Sequence, residues 1–251
     1  MLVRELDEHH VQPMAGNMFG RCWDQGESIA LSTVRLLSPV QPSKVIGIGS
    51  NYVQHIAEMG RSTPQHPKVF LKPNTSVIGP KDSIQIPPLT ERVDHEAELG
   101  IVISRHAHCI SRADVWSHIL GLTIVNDVTA RDFQKEDGIF TRGKGFNTFC
   151  PIGPWIEKTH PESGGSRSIK CWVNEDLRQD SVTGDMLFGI EDIVVFVSNI
   201  MTLLPGDVIA TGTPSGVGPL QDGDVVRIEI EGLGQLVNPV VNRADRCQLS
   251  S

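Results

Sequence analysis

The sequence predicts an α+β fold. Short segments rich in β-branched residues recur along the chain, without the regularly alternating helices that a parallel sheet requires. Apolar residues form 39% of the 251 residues, and 24 glycines bring the sum to about half, the usual proportion in a globular protein. A chain of this length can bury a full core, so we predict one large domain and a small appendage.

The appendage is predicted to occupy residues 1–44. This segment has weak hydrophobic patterning, and it ends in residues 38–43, where two prolines favour an extended connector. The large domain is therefore predicted to cover residues 45–251.

Within the large domain, strands are predicted from short β-branched runs at 45–48, 68–71, 76–78, 97–103, 121–127, 169–173, 207–210 and 225–230. Short helices are predicted at 52–59 and 113–119. A third helix is predicted at 191–201 despite its β-branched residues, because two acidic residues fall in its first turn and apolar residues recur every fourth position.

Three carboxylates carry the strongest chemical signal. Glu96 and Glu98 lie two apart at the start of a predicted strand, so their side chains share one face, and Asp127 ends another strand. Adjacent like charges repel unless a cation lies between them. Oxygen ligands without thiolate or imidazole suit Mg²⁺, with Mn²⁺ or Ca²⁺ as substitutes. Taken alone, a Glu-x-Glu phrase is more often the solvated face of a strand, but the phrases around it favour a metal site.

Other classes of site are disfavoured. The net charge of −8 argues against binding to nucleic acid or to an anionic membrane. Gly47-Ile48-Gly49 fails as a dinucleotide fingerprint because Tyr52 stands where the third glycine belongs. The His-Ala-His-Cys phrase at 106–109 lacks a second pair of soft ligands at suitable spacing.

The compartment expected from the sequence is a reduced cytoplasm. The five cysteines are scattered, odd in number and without a Cys-x-x-Cys pair. Charged residues interrupt the N-terminus too early for a secretory signal, and the longest apolar run, at 193–204, is too short to span a bilayer.

Six phrases, in order and with similar spacing, resemble the fumarylacetoacetate hydrolase family; they lie at 47–58, 69–76, 95–103, 125–134, 141–151 and 204–218. Within the family the chain is similar to bacterial members named 2-hydroxyhepta-2,4-diene-1,7-dioate isomerase, acylpyruvate hydrolase and oxaloacetate decarboxylase. The resemblance covers about residues 45–241. It implies a mostly antiparallel β-roll with a metal at its mouth, a small β-rich N-terminal domain, and a homodimer.

The resemblance also implies an acid–base dyad of His55 and Glu58, which lie three apart on a predicted helix. The alternative is an ordinary ion pair on a solvated helix. Lys144 lies between two glycines and is expected near the metal, where it would hold the substrate carboxylate or the developing oxyanion. Its alternative is an exposed loop lysine.

Four further residues are predicted to contact the substrate. Arg131 and Gln134 match family positions that reach its far end, although they would otherwise be read as a helical surface face. Thr213, in a glycine-rich loop, would offer its hydroxyl to a carboxylate, and this is compatible with a structural turn. Lys72 is a further candidate cation.

A divalent cation held by three carboxylates leaves positions for the carboxylate and keto oxygens of a 2-oxo acid or its enol. We expect an enzyme that forms an enolate, either an isomerase or a C–C bond hydrolase of aromatic catabolism. The alternatives are oxaloacetate decarboxylation and a non-catalytic metal- or metabolite-binding protein. Ser50, Asn147 and residues 137–140 depart from the family pattern and put recognition of a distal carboxylate in doubt.

Overall fold

The computed structural model describes residues 1–58, 60, 62–158 and 164–243. The chain divides into two compact units, Met1–Leu37 and Ser38–Ser251. By this division the domain boundary predicted at residue 44 falls inside the second unit.

The first unit contains one antiparallel sheet. Its strands are β1 (Leu2–Glu5), β2 (His10–Gly16), β3 (Cys22–Asp24) and β4 (Ile29–Ala30), and β2 pairs with each of the others. No element was predicted here because the strands are short and most of their residues are exposed or half-buried, so the alternation of apolar and polar residues is weak.

The second unit contains fifteen strands and five helices among its described residues. The strands are β5 (Val45–Gly49), β6 (Lys68–Lys72), β7 (Val77–Ile78), β8 (Ile84–Ile86), β9 (Val93–His95), β10 (Ala97–Ile103), β11 (Ile119–Asn126), β12 (Thr129–Ala130), β13 (Cys150–Lys158), β14 (Ser168–Val173), β15 (Asp176–Val182), β16 (Val208–Ala210), β17 (Gly218–Pro219), β18 (Val225–Ile230) and β19 (Gly234–Asn242). The helices are α1 (Val53–Glu58), α2 (Val115–His118), α3 (Arg131–Asp137), α4 (Thr141–Lys144) and α5 (Ile190–Ile200).

These strands form three sheets, in the orders β6-β5-β16-β10-β11-β13-β7, β12-β9-β17 and β15-β14-β18-β19-β8. Most neighbours are antiparallel, which agrees with the predicted α+β class. Three pairs are parallel, β5–β16, β7–β13 and β8–β19, so the sheets are not antiparallel throughout. Strand β10 lies in the middle of the largest sheet and is buried along its whole length. Two metal candidates, Glu96 and Glu98, therefore lie beside and within this buried strand.

The core joins the seven-stranded and five-stranded sheets. Ile101 and Ile124 of the first belong to one buried cluster with Ile228 and Leu236 of the second. No helix in the described part of the chain is long and apolar enough to cross a bilayer.

Each predicted strand and helix of the large domain is present; β10 and β18 have the predicted bounds, and the others have shifted ends. The strand predicted at 121–127 runs over Ile119–Asn126, so Asp127 follows its end. The helix predicted at 113–119 is shorter, because a 3₁₀ turn occupies Arg112–Asp114. The helix predicted at 52–59 is α1, and Met59 lies outside the described residues.

Several elements were not predicted, and β13 shows why. Two prolines and a glycine within it lower its strand propensity, yet five of its nine residues are buried between neighbouring elements. Tertiary burial therefore outweighs local preference at this strand.

Candidate metal centre and catalytic cleft

The three predicted metal ligands meet at one end of strands β10 and β11. Ligand oxygens of Glu96, Glu98 and Asp127 all lie within 4.8 Å of one another, and all three residues are buried. The pairing of Ala97 with Asn126 places Glu96 beside Asp127, whose backbone N–H donates to the Glu96 carbonyl at 2.9 Å. The side chain of Asn126 accepts from the Glu96 N–H at 3.0 Å. The antiparallel register therefore fixes the cluster.

Glu98 shows the electrostatic character of the cluster. Burial raises the pKa of Glu98 well above its ordinary value, and the charges of Asp127 and Glu96 raise it further. Its carboxylate accepts one hydrogen bond, from the Gly212 N–H at 2.8 Å. Buried carboxylates that disfavour one another's ionisation form a set that a divalent cation would stabilise.

The donor chemistry fits a hard cation. The three side chains offer only carboxylate oxygens, the ligands that Mg²⁺, Mn²⁺ and Ca²⁺ prefer. Among the residues that the structure describes, this is the one group of three or more histidine, cysteine or acidic side chains with ligand spacing. The phrase at 106–109 forms no such group within the same residues.

Lys144 lies inside the acidic cluster. Its ammonium donates to Glu96 at 2.9 Å, to Thr129 Oγ1 at 2.9 Å and to Asp127. Burial lowers the pKa of Lys144, but the charges of Asp127 and Glu96 outweigh it, so the pKa is raised and the side chain is a cation. The alternative of an exposed loop lysine is therefore wrong, since the residue is only 3% exposed.

Gly143 explains how Lys144 reaches this depth. A Cβ at Gly143 would lie 2.8 Å from the Ala130 carbonyl, so only glycine lets α4 pack this closely on β12.

Arg131 and Lys72 each form an ion pair with one of the predicted metal ligands. The Arg131 guanidinium contacts Glu96 at 2.5 Å and Asp94 at 2.8 Å. Burial raises the pKa of Glu96, yet Lys144 and Arg131 outweigh it and hold that pKa below its usual range. The Lys72 ammonium lies 2.6 Å from Asp127 and is 1% exposed.

These positions bear on the predicted substrate contacts. Gln134 accepts a hydrogen bond from Arg131 at 3.0 Å, so both side chains point into the same region. Lys72 is not among the residues that line the cleft. The roles of Arg131, Gln134 and Lys72 towards substrate stay predictions.

The dyad lies on α1. His55 Nδ1 is 3.0 Å from a Glu58 carboxylate oxygen, and His55 is only 7% exposed. Glu58 in turn accepts from the Gly216 N–H at 3.1 and 3.3 Å. The imidazole is therefore largely buried, and the contact of its Nδ1 with Glu58 fixes its orientation. This is the geometry of a base with its orienting carboxylate. The His55 side chain is 9% exposed and that of Glu58 is 38% exposed, and the acid–base role of the pair stays a prediction.

A cleft that is partly open to solvent brings the predicted residues together. Eight of the ten candidate site residues line it, namely His55, Glu96, Glu98, Asp127, Arg131, Gln134, Lys144 and Thr213. The rest of the lining includes Ile48, Phe70 and Phe140, together with Ser50. The Phe70 and Phe140 rings pack against each other, with their centres 4.9 Å apart. The apolar part of the lining is in contact with the charged part, since the Lys144 ammonium lies 4.8 Å from the centre of the Phe70 ring.

The loop after β16 closes the cleft beside Glu98. Gly212 has a φ of +97°, and a Cβ there would lie 2.7 Å from the Asn51 side chain. Asn51 holds this region by donating to the Thr211 and Phe188 carbonyls at 2.7 and 3.1 Å. Thr213 follows and is 4% exposed.

Three supporting residues were missed from sequence. Asp94 binds the guanidinium of Arg131, Asn51 holds the loop, and Gln179 is a buried side chain on β15. Asp94 could have been found from the sequence, because it alternates with Glu96 and Glu98. Gln179 gave none, because its strand was not predicted.

Comparison with known proteins identifies the family of this chain. The sequence model of the family described as fumarylacetoacetate (FAA) hydrolase C-terminal matches residues 44–241. An oxaloacetate tautomerase from Xenopus laevis, named as mitochondrial, is 43% identical over 224 residues, which are 85% of this chain and 70% of the relative.

Two solved structures are similar over most of their length. The 2-hydroxyhepta-2,4-diene-1,7-dioate isomerase from Mycobacterium marinum has a TM-score of 0.87 at 44% identity, covering 94% of this chain and 89% of the other. A maleylpyruvate hydrolase from Sphingobium sp. SYK-6, in complex with manganese(II) and pyruvate, has a TM-score of 0.76 at 36% identity, covering 87% and 78%. The family model covers most of the chain and the relatives are more than 30% identical to it, so this chain belongs to the fumarylacetoacetate hydrolase family.

Proposed function

We propose that the protein is a Mg²⁺-dependent enzyme that forms an enolate from a 2-oxo acid. The observation that carries the proposal is the cleft in which His55 faces the cluster of Glu96, Glu98 and Asp127. A base on one side and an electron sink on the other are the two requirements of proton transfer next to a keto group.

The three carboxylates would hold the cation, and Mg²⁺ or Mn²⁺ suits their oxygen ligands. A divalent cation there would act as a Lewis acid towards the keto oxygen of the substrate. The maleylpyruvate hydrolase relative contains manganese(II), which supports a divalent metal in this class of site.

The chain's own residues supply the remaining chemistry. His55, oriented by Glu58, would take a proton from C3 of the substrate or from an attacking water, and would return it in the next step. Lys144 would place a fixed positive charge beside the developing oxyanion. Thr213 would donate to the substrate carboxylate. Burial of these groups strengthens each interaction, because the effective dielectric constant is lower than that of water.

The net reaction that we favour is isomerisation by proton transfer, or hydrolysis of a C–C bond, in the catabolism of aromatic compounds. The M. marinum isomerase and the maleylpyruvate hydrolase support this choice. A second candidate is proton transfer or decarboxylation on oxaloacetate, which the Xenopus tautomerase supports. Both candidates pass through the same enolate. We also propose that the protein acts as a homodimer, as the family resemblance implies.

Oxalate is expected to bind the Mg²⁺-loaded protein, because it chelates through two oxygens and resembles the enolate of pyruvate. At about 100 times its dissociation constant, such a ligand stabilises the fold by about 2.7 kcal/mol. The melting temperature should therefore rise by several degrees in a thermal scan with Mg²⁺ and oxalate. Acetate, which cannot form the same chelate, is the control. An equal melting temperature with and without oxalate would contradict the 2-oxo acid assignment.

A further inference from the structure

Gln179 is the side chain that connects the metal ligands to the loop after β16. It lies on β15, its side chain is wholly buried, and it makes four hydrogen bonds. An amide group has two donor hydrogens and an oxygen that accepts two hydrogen bonds, so the full capacity of Gln179 is used.

Its oxygen faces the ligand strand. Gln179 Oε1 accepts from the Ala97 N–H at 3.0 Å and lies 3.1 Å from His95 Nδ1. Ala97 separates the two glutamate ligands, so this bond holds the backbone between them. Because a backbone N–H can only donate, the amide has one possible orientation, with Oε1 towards Ala97.

Its nitrogen faces the loop. Gln179 Nε2 donates to Thr213 Oγ1 at 2.7 Å and to the Pro214 carbonyl at 2.9 Å. The Thr213 oxygen therefore acts as an acceptor towards Gln179, and its own proton is left for another partner. Thr213 lines the cleft, so that proton is available to a ligand there. The same loop continues to Gly216, whose N–H donates to Glu58.

We propose that Gln179 is a positioning residue that fixes Thr213 as a hydrogen-bond donor towards a negatively charged oxygen of the substrate. This proposal rests on the proposed function and deepens it. Gln179 reaches the ligand strand through Ala97 and the substrate through Thr213. It does not touch the reacting atoms.

Gln179→Glu is the sharpest test. The variant keeps the oxygen that accepts from Ala97 but replaces the NH₂ group with a carboxylate oxygen. Thr213 would then turn its proton towards residue 179 and lose its donor function in the cleft. Two measurements by isothermal titration at pH 8 separate the effects: Mg²⁺ binding to the protein, and oxalate binding to the Mg²⁺-loaded protein.

We expect Mg²⁺ affinity to be no weaker than in the wild type, and oxalate affinity to fall about tenfold or more, the size of effect of one hydrogen bond to a charged group. Thr213→Val should weaken oxalate binding by a similar factor. The double variant should be no worse than either single variant, because both changes remove the same donor. Gln85→Glu, an exposed change of the same chemistry, should leave both affinities unchanged.

Wild-type oxalate affinity in Gln179→Glu, or additive losses in the double variant, would overturn the role of Gln179. The proposed function would not be affected by either result. Failure of the wild type to bind oxalate with Mg²⁺ would overturn the proposed function and this inference together. A purely structural role would reduce the binding stoichiometry of both titrations through loss of folded protein. If Gln179→Glu does not fold, Gln179→Met takes its place in the cycle, with the same requirement that Thr213→Val adds no further loss.

Discussion

Replacing Glu98 with glutamine is expected to abolish measurable Mg²⁺ binding and metal-dependent activity while the fold is retained. Glutamine has the shape of a protonated glutamate, and the pKa of Glu98 is already raised by burial and by Asp127 and Glu96. Loss of one carboxylate also relieves repulsion, so the melting temperature in metal-free buffer should not fall. Mutating a residue that hydrogen-bonds to a metal ligand lowers metal affinity about 10–100-fold. Loss of a ligand itself should therefore lower it by about 100-fold or more.

Isothermal titration with Mg²⁺ measures this effect. The control is Glu175→Gln, which neutralises an exposed carboxylate in the same unit. In the wild type, affinity should weaken as pH falls through the raised pKa of Glu98, because a proton then competes for the ligand oxygen. Undiminished affinity in Glu98→Gln would show that this side chain is not a ligand.

Replacing His55 with glutamine is expected to lower kcat/KM by about 10²–10⁴-fold, the typical cost of removing a positioned acid–base group. The reaction affected would be diene isomerisation or acylpyruvate cleavage, each of which needs a proton to be moved. Mg²⁺ affinity should be retained, because His55 is not one of the three carboxylate ligands. Decarboxylation of oxaloacetate should fall less, since it depends mainly on the electron sink.

The assay is steady-state turnover of each substrate at saturating Mg²⁺. His106→Gln, at an exposed position, is the matched control and should retain wild-type rates. Near-wild-type rates for His55→Gln on every substrate would mean that the imidazole and Glu58 have a structural role only.

Strands were predictable where they are buried and where their local sequence pattern is typical of a strand. Strand β10 ends in three consecutive β-branched residues, at 101–103, and is buried throughout, and the sequence predicts it with the same bounds. Strand β13 was missed because its prolines and glycine argue against a strand. The parallel pairing of β5 with β16 was also missed, because it joins segments about 160 residues apart and no local pattern encodes it.

The candidate site divides in the same way. Glu96, Glu98 and Asp127 were predictable because strand periodicity and the family phrases place them, and the structure brings them together. The depth of Lys144 was not predictable from its flanking glycines, since it results from the packing of α4 on β12. The role of Gln179 was not predictable from the sequence, because it depends on a contact between separate sheets.

The exchange of protons at C3 of a 2-oxo acid tests metal-dependent enolate formation most directly. Pyruvate incubated with the protein in D₂O can be followed by the loss of its methyl signal in ¹H NMR. We predict exchange with Mg²⁺ at a rate well above that of Mg²⁺ alone, its loss on chelation by EDTA, and its absence in the Glu98→Gln protein. Exchange no faster than in the protein-free control, with Mg²⁺ binding demonstrated in the same sample, would contradict the account.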